Sequence, residues 1–396
     1  MTEFRWAEEA DYQALIEQAN HAFDTAHYTG DFEKDTSKES FFPRVHPKLY
    51  QNPRIAPMHV LAIEDGRICG LVGAFELPYV VHGTPLHVVG IGTVSVRPGY
   101  RRKGYMKELM ARAIRRAKDE DADYMILGGQ RQRYGHWGFE QGGVMPLYEV
   151  YDVNFSHTYG ENADFGYSFR KLTPEDTEVL ARERALREAA EVHMIHPEDE
   201  EFRVLCTGET VPYVIEKDGL FAGTFMYYEQ DPQVGDLRLT DKQEVGHVLN
   251  DILRFFGLKK MKALYFGPEE KEMMRILSAL AEDCSIIPSG MIKILNYERV
   301  IRAYFELKAS LWELPDGELR LSFENGEKLL LTVRDEKPEV RKLKEEEGPF
   351  LALTEKEAVQ LIFNPHTWLH FFGKEIPMAA RAWFPLPLYE NLSDTV

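Results

Sequence analysis

Val94-Ser95-Val96-Arg97-Pro98-Gly99-Tyr100-Arg101-Arg102-Lys103-Gly104-Tyr105-Met106 is the stretch of this 396-residue chain from which its fold is best read. Val94 and Val96 share one face at the end of a strand, Pro98 and Gly99 turn the chain, and a basic loop leads into a helix. Tyr105, Met106, Leu109, Met110, Ala113, Ile114 and Ala117 recur at helical spacing and give that helix one buried face. A loop of this kind aims successive backbone N–H groups and the positive end of a helix dipole at one point, which suits a pair of phosphates. Gly104 places no Cβ between the backbone and such a ligand. From Arg97 to Lys118 there are nine Lys or Arg and a single acid, Glu108, in a chain whose 47 basic and 65 acidic residues give a net charge of −18. That local reversal of sign predicts an anionic ligand, although a solvated basic helix face would look the same. Neither GxxxxGK[ST] nor GxGxxG occurs, so the common nucleotide-binding loops are excluded.

Outward from this segment the first 150 residues read as mixed α/β. A helix is predicted around 7–22, followed by a polar, aromatic stretch over 23–52. Strands over 58–64 and 67–80 flank Asp65-Gly66, a two-residue hairpin signal, and His82-Gly83 turns the chain into a strand over 86–96. Three strands joined this tightly form an antiparallel meander. The short apolar run 123–128 follows the helix, which makes strand–helix–strand a parallel crossover. The middle third echoes this plan. Strands over 213–216 and 220–228 flank Asp218-Gly219, Gly223 stands where Gly70 stands in the first copy, and 236–240, 245–256 and 262–266 supply strand, helix and strand. From about Gly290 the pattern changes: a strand over 291–295, a helix over 297–305, paired strands over 318–323 and 328–333 across Asn325-Gly326, and a charged loop or edge over 335–347. Thr354 followed by Glu357 is a capping-box signal for a helix over 354–363, and the apolar tail Trp383-Phe384-Pro385-Leu386-Pro387-Leu388-Tyr389 is expected to dock.

The pattern Val-x-Val-x-Pro-x-x-Arg-Arg-x-Gly at 94–104 resembles the acyl-CoA loop of the GNAT (Gcn5-related) N-acetyltransferases, whose core is Gln/Arg-x-x-Gly-x-Gly/Ala. Arg101 and Gly104 match, and Met106 departs where Gly or Ala is usual. Arg133-Tyr134-Gly135-His136-Trp137-Gly138-Phe139 is similar to a stretch of the Eis-like (enhanced intracellular survival) three-domain acetyltransferases. The resemblance implies an α/β chain of three domains: a GNAT catalytic domain with a mixed sheet over 1–153, a second GNAT-like domain over 154–288, and a sterol-carrier-like α+β domain over 289–396. The second copy has no Arg-x-x-Gly around Gly235-Asp236-Leu237-Arg238, so it is expected to bind no cofactor. The resemblance further implies that the Val94, Ser95 and Val96 backbone meets the pantetheine arm of acetyl-CoA. It puts Arg101, Arg102, Lys103, Gly104, Tyr105 and Met106 around the pyrophosphate, Gly129 and Gln130 against the cofactor, and the subunits in a hexamer.

The chemistry asks for little. An amine attacks a thioester carbonyl, backbone N–H groups at the end of the 86–96 strand stabilise the oxyanion, and a thiolate leaves. The resemblance makes Tyr134 the acid that protonates the thiolate; with an ordinary phenol near pKa ~10 and a thiol near ~8.5, a depressed Tyr134 pKa would help. It makes the carboxylate of Val396 the base, directly or through water, with Glu76, Asp24 and His27 as alternatives. Without the motif, Tyr134 would read as an ordinary packed aromatic and Gly129-Gln130 as a loop bend. The expected reaction is direct transfer from acetyl-CoA to a primary amine in a ternary complex. The alternatives are a non-catalytic small-molecule or lipid-binding protein and a protein or peptide acetyltransferase.

Composition bounds the rest. At roughly 150 residues per domain the length suits two to three domains. A net −18 repels nucleic acid and anionic lipid and favours a small, cationic amine as partner. Cys69, Cys206 and Cys284 lie far apart and in no metal-ligand spacing, so neither a disulfide framework nor a metal is expected. His193 and His196 with Glu191 lack an HExxH spacing and read as structural. No apolar run reaches the roughly 18 residues of a membrane helix, and the N-terminus lacks a signal-peptide layout, so the expected location is the cytoplasm.

Overall fold

The computed structural model describes residues 2–24, 41–263, 267–343 and 349–396. β1 (Thr2–Trp6), β2 (His59–Glu64), β3 (Arg67–Val81) and β4 (Thr84–Val96) run antiparallel, and β5 (Tyr124–Leu127) joins β4 in parallel. The helix Tyr105–Asp119 makes the crossover, burying Tyr105, Leu109, Met110, Ala113 and Ala117, the face that the 3.6-residue period selects. Asp65 and Gly66 both take positive φ (51° and 75°), as a tight two-residue hairpin requires. The first helix runs Tyr12–Asp24, and the residues before it form a 3₁₀ turn, Glu9–Asp11, and the edge strand β1. β6 (Glu140–Gly142) closes the far edge of this sheet.

β7 (Met145–Tyr151) leaves for a second sheet, which also holds β8 (Tyr167–Lys171). β9 (Val192–Met194) returns to extend the first sheet beside β3. β10 (Val211–Lys217), β11 (Leu220–Tyr228), β12 (Gln233–Leu239), β13 (Lys260–Ala263) and β14 (Asp283–Ile287) complete the second sheet, and β15 (Gly290–Ile294) re-enters the first between β5 and β6. The first sheet reads β1-β2-β3-β4-β5-β15-β6 and the second β8-β10-β11-β12-β13-β7-β14. The orders correspond strand for strand, so the middle of the chain is a structural copy of its beginning. Each sheet receives its sixth strand from the stretch of chain that follows the other. The sheets therefore do not divide at 153/154 and 288/289: Met145–Tyr151 lies in the second sheet and Gly290–Ile294 in the first. Local patterning identifies a strand but says nothing of its partners, so the exchange of strands between the sheets cannot be read from the sequence.

The correspondence extends to single residues. Gly70 pairs with Val96 and Gly73 with Gly92; in the copy Gly223 pairs with Leu239 and Met226 with Gly235. Both strands bulge just after the second of these pairs, at Thr93 (φ 50°) and Asp236 (φ 44°). Thr93 and Asp236 are thus equivalent positions.

The last part of the chain is the helix Tyr297–Leu311 followed by β16 (Gly317–Phe323), β17 (Lys328–Arg334), β18 (Lys337–Lys342) and β19 (Leu351–Leu353), ordered β18-β17-β16-β19. The helix outruns its predicted end because apolar positions continue through Leu307, which is buried. Part of the charged stretch forms the edge strand β18, and 344–348 lies outside the described residues. Thr354 and Glu357 form the expected capping box on Glu355–Ile362. The tail docks: Trp383, Leu386, Leu388 and Tyr389 are buried, and the first three join a single core with Tyr304 and Leu307 and with Leu77 and Val88 of the first sheet.

Candidate active site

β4 and β5 pair from Val88–Tyr124 to Gly90–Ile126 and, among the described residues, share no pairs beyond. The edge of β4 that faces β5 therefore opens after Gly90. The bulge at Thr93 is anchored from behind. Tyr50, in the short helix Pro47–Tyr50, bonds Thr93 Oγ1 and lies 3.0 Å from His59 Nε2, while His59 Nδ1 donates to the Ile55 carbonyl at 3.1 Å. That leaves Nε2 as an acceptor for the Tyr50 hydroxyl. Burial lowers the His59 pKa to about 4 and raises that of Tyr50, so both stay neutral. Ser95 Oγ is buried without a hydrogen-bond partner beside this opening, an unmet demand that a ligand's polar group can satisfy.

The basic loop is less uniform than its sequence. Arg97 is buried and held by Gln18, the Ile68 carbonyl and Glu17, a structural role. Lys103 pairs with Glu64 at 2.9 Å and sits 4.8 Å from the Tyr100 ring centroid, while Tyr105 bonds the same Glu64 and Thr2. Arg112 and Arg116 are bonded to Glu108 and Glu120 and to the carbonyls of Phe4 and Pro57. Much of the apparent excess of positive charge is thus met within the protein. Arg101 and Arg102 remain exposed at the mouth of the β4 opening, with Arg101 Nε 3.4 Å from the Val96 carbonyl. Arg102 (φ 69°) and Gly104 (φ 84°) are both left-handed, which curls the loop ahead of the helix; Gly104 is its N-cap and Met106 follows in the first turn. This open strand edge, orphaned hydroxyl and pair of guanidinium groups suit an acyl-CoA.

Tyr134 ends the one-turn helix Arg131–Tyr134, whose N-cap is Gln130, and its amide donates to the Gln130 carbonyl at 3.1 Å. Its ring lies against Gly129, where a Cβ would stand 2.5 Å from Tyr134 Cε2. Burial raises the phenol pKa, opposed by Arg133, so the depression expected from acid catalysis is not present here.

The end of the chain enters the same region. A Cβ on Gly90 would lie 2.5 Å from Val396 Cγ2, and one on Gly92 3.1 Å from the Val396 carboxyl carbon. Two glycines on one face of β4 make room for Val396. The segment before it is pinned by groups that sequence reading left aside. Asp236 accepts from the Leu392 amide at 3.2 Å and the Ser393 amide at 2.9 Å, and Lys48 donates to the Ser393 carbonyl. Asp394 receives His196 Nε2 at 2.9 Å, the Tyr79 hydroxyl at 3.1 Å and Asn391 at 3.4 Å. Burial keeps His196 neutral, so its Nε2–H donates. Burial pushes Asp394 upward, but His196, Lys48 and Arg238 outweigh it and hold the carboxyl at about 2. Burial lowers Lys48 to about 8.

Beside Val396 opens a cavity of about 530 Å³, lined by Phe75, Leu77 and Met194 and by the charged groups Lys48, Arg54, Glu76, Asp199 and Glu200. Glu76 is exposed on β3, while Asp199 is paired with Arg54 at 2.8 Å and Glu200 with Arg203 at 2.5 Å. His27 lies outside the described residues, and Asp24 ends the first helix. Glu191, His193 and His196 do not converge: Glu191 bonds His82, His193 bonds the Ala190 carbonyl and His196 holds the tail. Among the described residues no cluster suited to a metal ion is found, and no helix is long and apolar enough to cross a membrane.

Residues 3–142, which carry most of the first sheet and its crossover helix, match the family described as the acetyltransferase (GNAT) domain, a family whose chemistry is acyl transfer. No curated protein matches the sequence significantly. Over nearly its whole length the chain is similar to solved structures. A GCN5-related N-acetyltransferase from Anabaena variabilis has 16% identity, a TM-score of 0.64, and coverage of 99% of this chain and 98% of that one. One from Kribbella flavida has 15% identity, a TM-score of 0.66 and coverage of 99% and 97%. Eis1 from Mycobacterium abscessus has 14% identity, a TM-score of 0.63 and coverage of 99% and 98%. At such identities the likeness is one of fold, and it spans all three sheets.

Proposed function

We propose that the protein is an acetyl-CoA-dependent N-acetyltransferase that acts on a small cationic primary amine. The observation that carries this reading is the meeting of three features at the point where β4 leaves β5: an open strand edge, a left-handed Arg-bearing loop, and the Val396 carboxyl beside a cavity. Val94, Ser95 and Val96 would bind the pantetheine arm, Arg101 to Met106 the pyrophosphate, and Gly129 and Gln130 the cofactor's far side. Lys103 and Tyr105 contribute mainly by holding the loop through Glu64.

The amine enters through the cavity, where Glu76, Asp199, Glu200 and the terminal carboxylate outnumber Lys48 and Arg54 and so favour a cation. The Val396 carboxylate accepts a proton from the ammonium, directly or through one water. The nitrogen then bonds to the acyl carbon, the C–S bond breaks, the new amide nitrogen sheds its second proton to solvent, and Tyr134 protonates the departing thiolate and is itself reprotonated from solvent. Backbone amides of the open strand carry the oxyanion charge. Burial keeps the Tyr134 phenol protonated before the reaction, so the proton for the thiolate is in place, while its transfer runs uphill in pKa. The subunits act in the cytoplasm as a homo-oligomer, a hexamer by family resemblance.

An acetyl-CoA turnover screen over polyamines, aminoglycosides and lysine peptides tests the reading. Free amines acetylated without peptide context, with activity and acetyl-CoA binding both lost in the Arg101→Ala, Arg102→Ala double variant, are expected. Tight acetyl-CoA binding with no turnover of any amine would overturn it in favour of a binding protein.

A further inference from the structure

Asp236 occupies, in the cofactor-less copy, the bulge position that Thr93 occupies in the catalytic one. In the first copy the bulge re-aims β4 where the strand opens. In the second it re-aims a carboxylate, and both oxygens of that carboxylate are spent on the tail, one on the Leu392 amide and one on the Ser393 amide. Three residues further on, Val396 rests on Gly92, whose own equivalent, Gly235, directly precedes Asp236. The tail thus bridges two equivalent bulges, gripped at one and delivered to the other. The grip is buried: Asp236 is 4% exposed, Ser393 0% and Asp394 1%. Arg238, at the position equivalent to Ser95, lies 3.7 Å from Asp236 and 3.2 Å from Glu183, and so adds a cation beside the carboxylate without taking the place of either amide.

From this we infer that the second GNAT-like domain has turned its vestigial bulge into a clamp, with Asp236 as the positioning residue that sets where Val396 sits in the catalytic cleft. Lys48 links the clamp to the cleft, because the same helical turn that bonds Ser393 through Lys48 bonds the catalytic bulge through Tyr50. The inference rests on the reading of Val396 as the base, and the test separates the two.

Asp236→Asn keeps the shape but sets an amide donor against one of the two backbone donors. Hydrogen exchange of the peptide 386–396 in the full-length protein should quicken at least about tenfold, since the tail amides lose their acceptor. In the same variant kcat for amine acetylation should fall by about 10- to 100-fold with the KM for acetyl-CoA unchanged, the signature of a displaced group. Because Asp236 also meets Arg238, Ser393→Pro provides a second route: it deletes one gripped amide from the tail side and leaves the domain's ion pairs intact. Unchanged tail exchange in both variants would overturn the clamp. Faster exchange with unchanged kcat would uphold the clamp and overturn the role of Val396 as base.

Discussion

Replacing Gly129 by alanine would place a methyl group 2.5 Å from Tyr134 Cε2, 3.0 Å from Cδ2 and 3.5 Å from Cζ. Ordinary carbon contacts begin near 3.4 Å, so the ring must retreat by about 0.9 Å. It has little room to do so, because Tyr134 is 6% exposed and packs in the core beneath the crossover helix with Trp137 at 6.2 Å between ring centroids. A displacement of about 1 Å in a group that transfers a proton costs up to about 100-fold in rate, or about 2.7 kcal/mol in the barrier. The assay is thiol release from acetyl-CoA at saturating amine, with acetyl-CoA affinity measured separately by titration. Gly129→Ala should lower kcat by about 10- to 100-fold, and Tyr134→Phe, which removes the proton but keeps the packing, by a similar factor. A Gly129→Ala protein with parental kcat, in which Tyr134→Phe is nonetheless slow, would refute the idea that this glycine fixes the acid. Parental rates in both would remove Tyr134 from the reaction.

Other outcomes follow from the same geometry. A short tag after Val396 should reduce kcat by about 100-fold or more, the range of a lost general base, with acetyl-CoA binding retained; undiminished turnover in the tagged protein would exclude the carboxylate. Arg101→Ala and Arg102→Ala should each weaken acetyl-CoA by about tenfold and flatten the salt dependence of binding, whereas Lys103→Ala, whose ammonium is already paired with Glu64, should weaken it less; titrations at two ionic strengths would show the order. His59 is held neutral at a pKa of about 4 against about 6.5 when unfolded, so the unfolded chain binds the extra proton between those values. Stability should therefore fall as pH drops from about 6.5 towards 4, by up to about 3 kcal/mol from this group, and urea unfolding of His59→Gln should show a shallower acid limb.

Much of the fold was open to local reading. The Asp65-Gly66 hairpin, the meander and the amphipathic helix each depend on neighbours a few residues away, and so does their repetition around Asp218-Gly219. The family motif was legible in the sequence, but the contacts that support it were not. The sequence does not display the ion pair of Lys103 with Glu64 or the bonds of Arg97 to Gln18 and Glu17, all of which join residues far apart in the chain. His196 reads as structural and Asp236 carries no signal of its own because their partners belong to the tail, and Lys48 and Ser393 meet although 345 positions separate them. Contacts of that span leave no periodicity or spacing for a sequence to display.

The reciprocal loan of Met145–Tyr151 and Gly290–Ile294 makes the two related halves hostages to each other. A polypeptide halted at residue 153 would keep a slot between Ile126 and Gln141 with nothing to fill it and would carry a surplus strand bound for a sheet it no longer has. Loss of either half would therefore take a central strand out of the other half's sheet, so neither sheet is complete without the chain that builds its counterpart.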